Sequence, residues 1–85
     1  MSLLRIPRVL DITGESRSAF YAKIARGLMV QPVKIGQRAS AIPSAEVDAL
    51  ITAKTGGATD DQIRQLVERL HAQRATAAAK VLAGA

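Results

Sequence analysis

Apolar side chains arrive in short groups punctuated by glycine and proline, and the spacing within each group changes along the chain. Leu3, Leu4 and Ile6 form a brief apolar stretch. Pro7 follows, and a proline at the first helical position gives up no hydrogen bond, so the pattern predicts a helix over about 7–13, stopped by Gly14. Ser16 is a good N-cap and Gly27 a good C-terminal stop for a second helix. Two short helices separated by Gly14, Glu15 and Ser16 have the spacing of a helix-turn-helix unit. Phe20 and Ile24, four apart, are the large apolar side chains that this second helix turns to a core, and Met29 with Leu28 is expected to fill the core under the segment that follows Gly27.

After Gly27 the period changes. Val33-Lys34-Ile35, a turn at Gly36-Gln37, and Arg38 to Ile42 read as a β-hairpin bracketed by Pro32 and Pro43. A hairpin directly after a helix-turn-helix is a wing. A third helix is expected over about 44–54, burying Val47, Leu50 and Ile51 in one stripe and ending at Gly56-Gly57. Thr59 and Gln62 have capping-box spacing and open a fourth helix near residue 60. Ile63, Leu66, Val67 and Leu70 share one of its faces, while Arg64, Gln65, Glu68 and Arg69 take the other. Beyond His71 the chain thins to alanines with an isolated Val81-Leu82 pair, favouring helix but offering little to pack, so this end is expected to fray or to be ordered by a partner.

This organisation gives a mainly α fold with a small β-hairpin. Residues 1–57 form a winged helix-turn-helix, and residues 58–85 a C-terminal amphipathic helical extension. Eighty-five residues leave no room for a second independent core. The apolar fraction of 48% includes 16 alanines, which leaves few large side chains to exclude water.

Charge sharpens the functional reading. Of the 12 Lys and Arg and 7 Asp and Glu, residues 1–43 hold seven cations and two anions, and residues 44–85 hold five of each. The whole net charge of +5 therefore sits on the first half. Such a module attracts polyanions, with nucleic acid the leading class. With no cysteine and one histidine, disulfides, thiolate catalysis, Cys-containing zinc sites and His clusters are excluded, no cofactor is expected, and an enzyme is disfavoured. His71 is expected at a surface or interface, and Asp60 and Asp61 as dipole complements at the start of helix four. No leader or membrane span is legible, which makes the cytoplasm the expected location.

Burying Phe20 and Ile24 turns Arg17 and Tyr21 outward on a neighbouring face of helix two, beside Ser18, Ala22 and Ala25 and flanked by Lys23 and Arg26. Recognition helices lead into the major groove with their N-terminal residues, where arginine and serine meet base edges and small alanines allow close approach. Ser16, through first-turn N–H groups, and Tyr21, through its hydroxyl, suit phosphate contacts. Lys34, Gln37 and Arg38 cluster at the hairpin tip. They suit phosphate or minor-groove contact, or else serve as charges that block edge-to-edge pairing.

Leu3 to Pro7, Thr13-Gly14, Ser16-Arg17-Ser18 with Tyr21, Gly27, Pro32-Val33-Lys34, Gly36, Arg38 and Glu46-Val47 together closely resemble the AlpA family of phage-type regulators, over roughly residues 3–54. The resemblance implies a winged helix-turn-helix of the MerR and excisionase kind and sequence-specific binding of double-stranded DNA. It also implies a small protein of a prophage or integrative element, acting as a transcriptional regulator or as a directionality factor (excisionase) with an integrase or RNA polymerase as partner. Carried onto matching positions, the DNA-reading residues are Arg17, Ser18, Tyr21, Lys34 and Arg38. Ile42 and Leu50 stand where the family often has tryptophan, and Met29-Val30 where it has Phe-Pro. The apolar face of helix four, Ile63, Leu66, Val67 and Leu70, is left with two readings. It is either a homodimer or partner interface, or cover for the chain's own core. A DNA-recognition or adaptor component of a phage packaging or assembly complex, working through that helix, is the alternative function.

Overall fold

The computed structural model describes residues 2–84, so Met1 and Ala85, the outer ends of the expected 1–57 and 58–85 divisions, lie outside the described residues. In chain order the elements are β1 (Leu3–Arg5), α1 (Ile6–Thr13), α2 (Arg17–Ala25), β2 (Val33–Lys34), β3 (Ser40–Pro43), α3 (Ser44–Thr55) and α4 (Asp60–Ala83). Both stops of the helix-turn-helix need a left-handed backbone. Gly14 (φ 73°) returns its N–H to the Leu10 carbonyl at 2.8 Å, closing α1. Gly27 (φ 75°) lets the Leu28 N–H reach the Lys23 carbonyl at 2.8 Å and its own N–H reach Ile24 at 3.1 Å, the paired bonds of a Schellman end. Residues with a Cβ adopt this conformation only at a cost.

The wing is larger than a hairpin. β3 lies in the middle of a three-stranded antiparallel sheet, paired with β2 through Val33–Ala41 and Lys34–Ser40 and with β1 through Leu3–Pro43, Leu4–Ile42 and Arg5–Ala41. The initial apolar stretch is therefore a strand, and α1 starts one residue earlier than expected, at Ile6, with Pro7 in its first turn. The attachment continues into α3: the Ser44 N–H donates to the Ser2 carbonyl at 2.8 Å, and the Ser2 and Ser44 hydroxyls lie 3.0 Å apart.

Ile6, Val9, Phe20, Met29, Val30, Ile42, Val47, Leu50, Ile63, Val67 and Leu70 form one buried cluster, with Leu4, Leu10, Ile24, Leu28 and Leu66 packed against its edges. Two expectations are corrected here. Ile63, Val67 and Leu70 are buried in the chain's own core, and Leu66 at its margin, so this face is not an exposed homodimer or partner interface. A domain with so few large side chains needs α4 to complete its water-tight interior. Ile51 is 36% exposed; it lies beside Ile12 and Leu28 along a surface groove and not in the stripe with Val47 and Leu50.

A third correction concerns the C-terminal end. α4 is unbroken over 24 residues, capped by Thr59 and Gln62, whose side chains each bond the other's backbone N–H. Alanine's intrinsic preference sustains the helix beyond the core, although Val81 and Leu82 there are 73% and 77% exposed. Among the described residues no helix is long and apolar enough to cross a membrane.

α4 is tied to α3 by a contact that spacing did not reveal. The Arg74 guanidinium donates to both carboxylate oxygens of Glu46, with Nε at 2.9 Å from Oε2 and 3.1 Å from Oε1. Glu46 is only 8% exposed, so an unpaired carboxylate would be held away from water. The two truncations should therefore differ. Arg74→Ala strands the Glu46 carboxylate and should cost about 3 kcal/mol, the low end for breaking a buried pair, whereas Glu46→Ala lets the longer Arg74 swing into solvent and should cost less. Urea unfolding of the two variants checks the order; equal losses would contradict it.

Candidate nucleic-acid interface

The outward face of α2 is built by what its inward face buries. Phe20 is fully enclosed, and Tyr21 stands edge-on to it with ring centroids 5.2 Å apart at 84°. That contact holds the tyrosine ring against the body while the residue remains 45% exposed. Arg17, Ser18, Ala22 and Ala25 are exposed on the same helix. Small residues beside an anchored ring and a long cation leave a convex ridge that a groove can accept.

Ser16 and Lys23 are already engaged within the protein. The Ser16 hydroxyl accepts the Ala19 N–H at 3.1 Å, which makes it the helix N-cap. Lys23 Nζ lies 2.7 Å from Glu15 Oε2 with both side chains largely covered, beside the groove that Ile12 and Ile51 line. Its charge is compensated there. Arg26 ends α2; its side chain is exposed, and its carbonyl accepts a 3.0 Å bond from Arg64 Nε.

The wing tip spans residues 35–39, closed by the Ile35 N–H donating to the Ala39 carbonyl at 2.9 Å. Lys34, Gln37 and Arg38 are exposed at and beside it, next to a half-exposed Ile35. Two further exposed cations escaped the reading of spacing: Arg5, opposite Ala41 in the sheet, and Arg8 on α1. The charge count already contained them, but without β1 nothing joined Arg5 to the wing.

Ion pairing divides the molecule. Among the described residues the ion pairs are Lys23–Glu15, Arg64–Asp61 and Arg74–Glu46. Arg5, Arg8, Arg17, Arg26, Lys34 and Arg38 form none of them, and neither do the exposed Lys54, Arg69 and Lys80; six of these nine unpaired cations lie on α1, α2 and the wing, where Asp11 and Glu15 are the only acidic residues of positions 1–43. His71 is not a free surface residue: its Nε2 accepts the Gln31 N–H at 3.0 Å. Among the described residues no group of three or more His, Asp or Glu side chains is placed to hold a metal ion.

A family model described as prophage CP4-57 regulatory protein (AlpA) matches residues 2–55, the span that carries β1 through α3. No curated protein and no solved structure matches the chain.

Because the Ser16 hydroxyl caps α2, Ser16→Ala should lower stability by about 1 kcal/mol and Ser16→Gly by only a few tenths, measured by denaturant midpoint. A silent Ser16→Ala would mean that the cap contributes nothing to the helix.

Proposed function

Because the chain belongs to the AlpA family of prophage regulatory proteins, we propose that it is a sequence-specific double-stranded DNA-binding regulator of a prophage or integrative element. The observation that carries this reading is the segregation of charge. Residues 1–43 hold seven cations against two anions, with Arg17, Arg26, Lys34 and Arg38 exposed and unpaired on α2 and the wing, whereas in residues 44–85 five anions offset the five cations. A surface that keeps arginines and lysines unneutralised is suited to phosphates, whose neutralisation releases counterions.

In this reading α2 enters the major groove with Arg17 and Ser18 leading, Arg17 donating two hydrogen bonds to a guanine edge. Ala22 and Ala25 permit close approach, and the half-exposed Tyr21 meets a phosphate through its hydroxyl. Lys34, Gln37 and Arg38 lie along the neighbouring backbone or in the minor groove. Lys23 is the member of the expected contact set that we remove from direct contact, because Glu15 holds it. Such a protein acts on transcription or on excision, in company with an RNA polymerase or an integrase, as a single domain in which α4 is internal support. The chemistry needs no cofactor and no turnover.

Capture of genomic fragments on the purified protein tests the reading. Enrichment at promoters identifies a transcriptional regulator and enrichment at an element's attachment site a directionality factor, while recovery of random fragments alone would defeat sequence specificity. Arg17→Ala should cost about 1–3 kcal/mol on the enriched duplex and far less on random duplex. Lys34→Ala should weaken both alike and reduce the slope of log affinity against log salt by about 1. Lys23→Ala should leave affinity close to that of the parent.

A further inference from the structure

α4 lies beyond the residues matched by the family model, yet it holds the backbone that joins α2 to the wing at two points. Arg64 and His71 are seven residues apart, two turns and about 10 Å along the helix, beside the buried stripe of Ile63, Val67 and Leu70. At the first point, Arg64 Nε donates to the carbonyl of Arg26, the residue that ends α2. Its aliphatic stem covers Gly27, with Cγ 3.6 Å from where a Cβ would stand. At the second, the Gln31 N–H donates to His71 Nε2, two residues before β2 begins. Between the two ties Met29 and Val30 enter the core.

The two arms of the wing are held unequally. β3 is paired on both sides and runs directly into α3, whereas β2 is a two-residue edge strand that carries Lys34. The linker from α2 is bonded to α2 only at its start, through the Gly27 and Leu28 N–H groups. Beside the buried Val30, the His71 bond is the polar tie on the backbone immediately ahead of β2. An imidazole that accepts at Nε2 carries its proton on Nδ1, so a side chain offering an acceptor at the same reach can replace it.

We infer that His71 is a positioning residue for DNA binding: by holding the Gln31 N–H, it sets where the Lys34 arm of the wing stands relative to α2. The inference rests on the reading that α2 and the wing both touch DNA. Hydrogen bonds to phosphate tolerate only a few tenths of an ångström, so a wing arm released at its root loses contacts that α2 keeps. His71 touches no DNA itself and acts through Gln31.

Two substitutions separate the acceptor from the bulk. His71→Met fills similar space without a good acceptor, and His71→Gln restores an acceptor at the reach of Nε2. Protection of the Gln31 amide against hydrogen exchange reports the bond directly in each. Affinity for the duplex enriched from genomic fragments is then measured, well below each variant's Tm, in the parent and in the Lys34→Ala/Arg38→Ala background. We expect His71→Met to lose Gln31 protection and to weaken parent binding about three- to tenfold, the order of one phosphate contact. In the wing-deleted background it should change affinity less than twofold, because no contact remains to misplace. His71→Gln should recover both amide protection and most of the affinity.

Equal fold-losses from His71→Met in the two backgrounds would overturn the inference, since the effect would then not pass through the wing. So would an affinity loss in His71→Gln despite restored amide protection. A Lys34→Ala/Arg38→Ala protein that binds like the parent would instead refute the wing contacts of the proposed function, and the role of His71 with them. That failure appears in the background variant alone, before His71 is changed.

Discussion

The closing of the core by α4 is the constraint on which the other features depend. Three of the eleven clustered side chains, Ile63, Val67 and Leu70, come from this helix. Each fully buried aliphatic side chain contributes about 1.5–3 kcal/mol relative to exposure, and small domains are only marginally stable. Without α4, Met29 and Leu50 would lose their cover, and with them the footing of the linker and of α3. The helix also supplies three polar ties, Arg64 to the end of α2, His71 to the root of the wing, and Arg74 to the start of α3. One element thus seals the interior and sets the relative placement of the surface elements that carry the unpaired charge.

That dependence gives the electrostatics their form. Three cations that face the scaffold are neutralised where they sit: Arg74 by Glu46, Arg64 by Asp61, Lys23 by Glu15. Cations on the convex side of α2 and along the wing have no carboxylate within reach. The two anions of the first half are Asp11 and Glu15, and Glu15 is occupied by Lys23. A positive surface beside a support of zero net charge suits a polyanion partner, because binding then costs none of these three ion pairs.

Features encoded locally were legible in the sequence. Ser16 as N-cap, Gly14 and Gly27 as left-handed stops, and the Thr59–Gln62 box each act within four residues and appear as expected. The exposure of Arg17, Tyr21, Lys34 and Arg38 followed from the burial of Phe20 and from the glycine turn. What stayed hidden depends on partners far along the chain. β1 is three residues with no turn beside it, and it becomes a strand only because β3, some 38 residues later, offers an edge. The Glu46–Arg74 and Gln31–His71 contacts span 28 and 40 residues and leave no periodic trace. Ile51 fits a helical stripe as well as Leu50 does; which of them meets the core is decided by where α4 docks.

The order in which a ribosome delivers these elements follows from the same architecture. β1 is made early and stays unpaired until β3 appears, and the helix-turn-helix keeps an open flank until the first three turns of α4 have been synthesised. The strands pair with one another within the first forty-odd residues, but the core they share with α1, α2 and α3 stays open on the side that Ile63, Val67 and Leu70 cover, so the domain is complete only once α4 docks. In the interval the apolar Leu3–Ile6 segment and the side chains of Met29 and Leu50 lack part of the burial that the folded domain gives them. A chain ending before α4 would thus present to solvent the apolar surface that the folded domain hides.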